Sequence, residues 1–213
     1  MISGIHSHEY HVTLSSSDHC PIQPCFTLSK LASNISNYLS SDTTTLLLQP
    51  GVHILENCLK ISDVLKLIME KSNLSLHTKI ICKQPSAFHL YRIPVVHING
   101  LVFMSCGGSK AEEVGQLLIR GTSFHGQGSQ RTALEVVEVT GVIKDSTFQF
   151  HFNTAGNLKN VTVEEWKTKR IQASHAGGAL SVTKSNITII RSMFKSNGAD
   201  VGGAVFCELE RQS

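Results

Sequence analysis

His97-Ile98-Asn99-Gly100-Leu101-Val102-Phe103 is the stretch on which the fold turns: β-branched or leucine residues, a small turn, then phenylalanine. The phrase returns as Leu118-Ile119-Arg120-Gly121-Thr122-Ser123-Phe124, as Val142-Ile143-Lys144-Asp145-Ser146-Thr147-Phe148 and as Ile189-Ile190-Arg191-Ser192-Met193-Phe194. Phe103, Phe124, Phe148 and Phe194 follow one another at 21, 24 and 46 residues, the last being twice 23. A second phrase, Gly177-Gly178-Ala179-Leu180, recurs 25 residues on as Gly202-Gly203-Ala204-Val205, and Cys58, Cys82 and Cys106 are spaced by 24. Self-similarity at a fixed period of this length marks a solenoid.

From residue 79 onward the chain is a succession of β-prone runs, among them Val95-Val96-His97-Ile98, Leu117-Leu118-Ile119, Gly141-Val142-Ile143 and Ile187-Thr188-Ile189-Ile190, divided by Gly, Ser and Asn. They are too short for a sandwich of long strands and too closely spaced for βαβ units. The expectation is an all-β fold, a right-handed parallel β-helix with a short N-terminal helical cap. One coil of three short strands cannot bury its apolar residues alone, so coils stack at about 4.8 Å and like side chains form ladders. Each buried Phe, Leu or Ile contributes roughly 1.5–3 kcal/mol. Glycine at a fixed point of the coil permits φ > 0 where the chain turns a corner. A Cys82–Cys106 pair one coil apart forms either an inter-coil disulfide or a buried thiol ladder.

Outward from the repeat, four segments follow. Residues 1–19 are polar and His-rich, a tail or first edge strand. Residues 20–50 hold a proline-constrained loop, Cys20-Pro21-Ile22-Gln23-Pro24-Cys25, and a helix over 27–39. Proline narrows the open forms of that loop and favours closing Cys20 on Cys25, the alternative being two free thiols. Thr27 caps the helix, and Leu28, Leu31, Ile35, Tyr38 and Leu39 share one face, suited to plugging an open stack. Residues 51–206 are the coils; within them 59–69 read as either a helix from Ser62 or two short strands, and strands are favoured. Residues 207–213 are a truncated tail with no evident cap.

The chain has 213 residues, 41% hydrophobic and only 16% charged, with a net charge of +3. That composition suits a β-rich secreted protein, and scattered basic residues argue against nucleic-acid binding. Six cysteines without a C-x-x-C pair, and sequons at Asn34, Asn73, Asn160 and Asn186, point to an oxidising compartment, extracellular or cell-surface. Met1 to Cys20 has no apolar core of a signal peptide, and no run is long enough to span a membrane. The simplest reading is a fragment of a longer secreted protein, the alternative being a cytosolic protein whose sequons are accidental.

Phe194-Lys195-Ser196-Asn197 followed by Gly202-Gly203-Ala204-Val205 resembles the F-x-x-N … G-G-A-[I/V/L] repeat of polymorphic outer-membrane proteins, within the pectin-lyase-like fold group. The resemblance implies a right-handed β-helix passenger with an adhesive role, and the motif residues Phe194, Asn197, Gly177, Gly178, Gly202 and Gly203. An earlier half-motif, Phe150-His151-Phe152-Asn153, is parted from Gly177 by a polar insert containing Trp166.

Polysaccharide hydrolysis needs paired carboxylates and calcium-assisted elimination an acidic cluster with a base. The aspartates are scattered (Asp18, Asp42, Asp63, Asp145, Asp200), while Glu112-Glu113 and Glu164-Glu165 read as solvated loop charges. Arg170-Ile171-Gln172 and His175-Ala176-Gly177 read as ordinary loop. His6, His8 and His11 read as an incidental terminal cluster; His53 with His77, and His151 with His175, read as stacked exposed side chains. The expectation is a non-catalytic module for adhesion, recognition or structure, without cofactor or metal, its partners being glycans or extracellular proteins. The competing expectation is a protein that binds or degrades polysaccharide on the same fold. The insert over 156–176 is the expected variable surface.

Overall fold

A computed structural model describes residues 7–14, 25–34, 42–84, 86–126, 132–149, 157–158, 161–163, 166–169, 179–197 and 204–208. These residues form a parallel β-solenoid whose coils run through three sheets in turn. Sheet A stacks Thr43–Leu48, Lys66–Lys71, Val95–Asn99, Gln116–Arg120, Thr140–Lys144 and Asn186–Ile190. Sheet B stacks Gly51–Leu55, Thr78–Cys82, Leu101–Met104, Ser123–His125, Thr147–Gln149 and Ser192–Lys195. Sheet C stacks Leu59–Ser62, Phe88–Tyr91, Ser109–Glu112, Leu134–Val137, Leu180–Thr183 and Val205–Glu208. Residues 59–69 are thus strands. Connections between parallel strands are almost always right-handed, because a right-twisted strand packs back onto its sheet only that way.

Alternation along each strand sends every second residue inward. In sheet A the inward column is Leu46, Met69, Ile98, Ile119, Ile143 and Ile189, all buried. In sheet B, Phe103, Phe124, Phe148 and Phe194 stand over one another, with ring centroids 4.9, 4.9 and 5.0 Å apart and planes within 11°. Phe88, from sheet C, packs edge-on against Phe103 at 5.7 Å. The ends of the two Gly-Gly-Ala phrases lie one coil apart: Leu180 pairs with Val205, and the Ala179 and Leu180 amides both donate to the Ala204 carbonyl.

Phe148 and Phe194 sit on adjacent rungs although 46 residues separate them. The spacing read as two coils is one coil plus an excursion between Thr147–Gln149 and Leu180–Thr183. Inside that excursion, Val161–Val163 and Trp166–Lys169 pair with Asn186–Ile190 and Ser192–Lys195, and Asn157–Leu158 pairs with Val205–Glu208. The insert therefore adds strands beyond the last rungs, where no cap was expected, rather than forming a loop alone.

Coil length varies for a second reason. Lys66 pairs with Val95, 29 residues on, because residues 72–77 bulge out between sheets A and B. This breaks two expected columns. Cys58 stands beside Leu59 at the head of sheet C, whereas Cys82 closes sheet B over Leu55, so their spacing of 24 is not a register. His53 pairs with Ile80, not with His77, and is buried.

His53 occupies the phenylalanine position two rungs before Phe103. Its Nε2 donates to the Gln49 carbonyl at 2.8 Å. Burial lowers its pKa, outweighing the Gln49 and Thr13 backbone groups that favour the charged form. The folded value then lies below the unfolded one, about 6.5. Across that window the unfolded chain binds more protons, so stability is full above about pH 6.5 and falls as pH drops toward the folded pKa. In a His53→Phe variant this part of the slope disappears. Its urea midpoints at about pH 7.5 and about pH 5.5 should lie closer together than in the parent, and an unchanged gap would contradict the burial of His53.

The corners explain why the turn phrase tolerates different residues. Gly100, Gly121, Asp145 and Arg191 form one column, all with positive φ, between sheets A and B. Glycine suits such a corner, yet Asp145 and Arg191 take the same conformation at φ 52° and 45°. For an L-residue that backbone costs roughly 1–2 kcal/mol. The Asp145 amide keeps the column's hydrogen bond by donating to the Ile190 carbonyl, and a two-pronged surface pair joins the two residues, Arg191 Nε to Asp145 Oδ1 at 2.7 Å and Nη2 to Oδ2 at 3.1 Å. The next residues, Thr122, Ser146 and Ser192, are buried and hydrogen-bonded coil to coil through their hydroxyls.

At the N-terminal end, Ser7–Thr13, read as tail or edge, is a strand of sheet A between Thr43–Leu48 and Cys25–Thr27, with Tyr10 over Leu46 and Val12 over Leu48. The helix Leu28–Asn34 covers the first strands of sheets B and C. Thr27 Oγ1 accepts from the Lys30 amide, as its capping role requires, and Leu28 and Leu31 are buried. Ser29 Oγ donates to the Ile54 carbonyl and accepts from the Glu56 amide, satisfying part of an otherwise open sheet edge.

Candidate functional site

The F-x-x-N motif has a structural role. Phe194 stacks on Phe148, and Asn197, buried, donates from Nδ2 to the Phe148 carbonyl at 2.9 Å. The asparagine thus satisfies the backbone of the preceding coil where sheet B ends. Cys106 stands in the same place relative to Phe103, its Sγ 3.8 Å from the carbonyl of Ile80 in the coil below. It is bonded to Cys82, the Cα atoms 5.1 Å apart, so of the two alternatives the disulfide holds. Cys58 and Cys207 are free thiols.

Several expected features lie outside the described residues: the Cys20–Cys25 pairing, Asn160, Gly177, Gly178, Gly202, Gly203, His6, His151, His175, Phe150–Asn153, Glu164-Glu165 and 170–172. Among the other sequons, Asn34 is the last described residue of the helix, the rest of the expected 27–39 span lying outside the described residues, Asn73 sits in the exposed 72–77 bulge and Asn186 is exposed at the start of a sheet A strand. His8 and His11 both lie on the first strand, and no group of metal-ligating side chains occurs among the described residues. No described helix is long and apolar enough to cross a membrane.

Two outer faces carry organised chemistry. On sheet C, Lys110 Nζ lies 2.8 Å from Glu112 Oε2 and 3.8 Å from Glu135 Oε1, and His89 Nε2 lies 3.4 Å from Glu112 Oε2. Glu112 is therefore no loop charge: it ends the strand Ser109–Glu112 and is half-buried, while Glu113 follows at an exposed corner. Register brings the group together, since His89, Lys110 and Glu135 form one outward column, 21 and 25 residues apart, and Glu112 lies beside it. That spacing is the repeat period itself, and a search for charged residues at that period finds the cluster. The Lys110 hydrogen bond holds the Glu112 carboxyl below the ordinary carboxylate range. Burial alone would lower Lys110; the Glu112 bond and the charges of Glu135 and Glu112 outweigh it and leave the ammonium above its ordinary value.

On sheet A, a groove of about 400 Å³ runs along the outer face. Its sides are two outward columns, one with Gln116, Thr140 and Asn186, the other with His97, Leu118, Val142 and Thr188. Gly141 lies on its floor, paired with Leu117. A Cβ there would run into the Leu117 carbonyl oxygen, so only glycine fits this close approach of the two strands. Burial, then the charge of Lys66, holds His97 below the ordinary imidazole value, leaving the groove uncharged near neutrality. Nothing in the sequence marks this dent, because Gly141 reads as the start of an ordinary strand. No family model, no curated protein and no solved structure matches the chain, so its own residues are the ground for a functional reading.

Proposed function

We propose that the chain is a non-catalytic extracellular or cell-surface β-helix module for adhesion, recognition or structure, of the polymorphic outer-membrane-protein type within the pectin-lyase-like group. The observation that carries this reading is the electrostatics of the sheet C cluster. A general acid or base works best with a pKa near the working pH. Lys110 and Glu112 hold each other away from neutrality in opposite directions, which stabilises a fixed ion pair and opposes proton transfer. The Cys82–Cys106 disulfide supports an oxidising compartment. The repeat-type reading draws support from Asn197, whose bond to the Phe148 carbonyl gives the F-x-x-N asparagine a reason to be there.

The test pairs a glycan and extracellular-protein binding array with a polysaccharide-cleavage assay on the secreted chain. Binding without turnover is the expected result. Cleavage that is lost on Glu112→Gln while folding is kept would overturn the non-catalytic reading in favour of a polysaccharide-degrading protein.

A further inference from the structure

The sheet A groove contains its own point of attachment for a sugar. Asn186-Ile187-Thr188 is a sequon lying within a strand. Because a strand alternates, Ile187 turns into the core, fully buried, and both Asn186 and Thr188 face the groove. The acceptor amide and the hydroxyl that a sequon requires are thus on one accessible face. Asn186 stands over Thr140 and Thr188 over Val142, so a group on the Asn186 amide starts from the polar column, beside the column of Leu118 and Val142. The lining offers amides, hydroxyls, a neutral imidazole and half-buried Leu118 and Val142, with no charged side chain. That chemistry suits a neutral, hydroxyl-rich ring with one apolar face.

We propose that Asn186 carries an N-linked glycan whose first sugars lie in this groove. The proposal rests on the extracellular reading above. The donor is a lipid-linked diphosphate sugar: Asn186 Nδ2 bonds to the sugar C1, the C1–oxygen bond to the diphosphate breaks, the lipid diphosphate leaves, and the amide proton passes to a base of the transferring enzyme. Tethering gives the attached sugars a high effective concentration at the groove, so individually weak contacts suffice to seat them. Sheet A then presents a sugar-covered face, and an added ligand must bind elsewhere. Asn73 is the internal contrast. It lies in the exposed bulge next to Leu74, which is 86% exposed, so a glycan there projects into solvent.

The full chain, secreted from a eukaryotic cell, is digested and mapped after enzymatic deglycosylation in heavy-oxygen water, which converts each formerly occupied asparagine to labelled aspartate. Label is expected at both Asn73 and Asn186. On the native protein, release from Asn186 is expected to be at least about tenfold slower than from Asn73. A Leu118→Lys variant, which puts a long charged side chain into the groove on a half-exposed position, should bring the two rates together. Label at Asn73 with none at Asn186 would overturn the inference and leave the secretory reading standing. Absence of label at both would overturn both. Equal release rates in the parent chain would remove the groove as the glycan's seat. Binding of an added neutral oligosaccharide to a bare Asn186 face, lost on Leu118→Lys, would give the groove to a foreign glycan instead.

Discussion

Replacing Phe148 by alanine is expected to destabilise the protein by about 3–5 kcal/mol, the range for truncating a fully enclosed aromatic side chain. The ring is buried and stacked on both faces, at 4.9 Å from Phe124 and 5.0 Å from Phe194. It is also the joint across which the register survives the insert. The cavity left behind has little chance to collapse, because the backbone on both sides is fixed by parallel ladders. In a solenoid each coil touches only its neighbours, so the loss should be felt most beyond the break. Amide exchange should therefore accelerate more in Asn186–Ile190 and Ser192–Lys195 than in Lys66–Lys71. Met193→Ala is the control: Met193 is next to Phe194 but faces outward at 47% exposure, and its replacement should change stability by less than about 0.5 kcal/mol. A Phe148→Ala effect no larger than that control would contradict the column.

Replacing Cys82 and Cys106 together by alanine is expected to cost about 3 kcal/mol. The bond closes a loop with a sequence separation of 24, and a cross-link of that span restricts the unfolded chain by roughly this much on the chain-entropy account. Both side chains are buried, so their removal also leaves small cavities. Cys106 shares the position of Asn197, which gives a sharper variant. With Cys82 as alanine, Cys106→Asn can donate to the Ile80 carbonyl as Asn197 does to that of Phe148. This variant should recover about 1 kcal/mol relative to the double alanine, the net value of a typical hydrogen bond. Guanidinium midpoints under non-reducing conditions measure both. Equal stability of the parent and the double alanine would show that the bond constrains nothing the stack does not already hold.

The coils were legible because the period is carried by large apolar side chains whose only stable placement is over their own copies. The Phe103 to Phe124, Phe124 to Phe148 and Leu180 to Val205 intervals each mark one true rung. Thr27 as helix cap was readable from its oxygen and the apolar face that follows. Spacing misleads wherever a coil carries an insertion, because sequence distance counts residues and register counts rungs. Hence 46 residues are one rung, and Cys58 shares a number with Cys82 but not a corner. His53 was hidden because a histidine in an apolar column looks like any surface histidine until its neighbour Ile80 is known. The sheet A groove has a close backbone approach at Gly141 on its floor, and the sheet C cluster depends on outward columns; hydrophobic periodicity, which reports the inward face, carries neither.

Diffraction from crystals of the protein tests the stacked-coil architecture most directly. The density should show the Phe124 and Phe148 rings parallel at about 4.9 Å, with Ile119 beside Ile143 in parallel strands. Antiparallel hairpins or helices between Lys79 and Phe206 would contradict it.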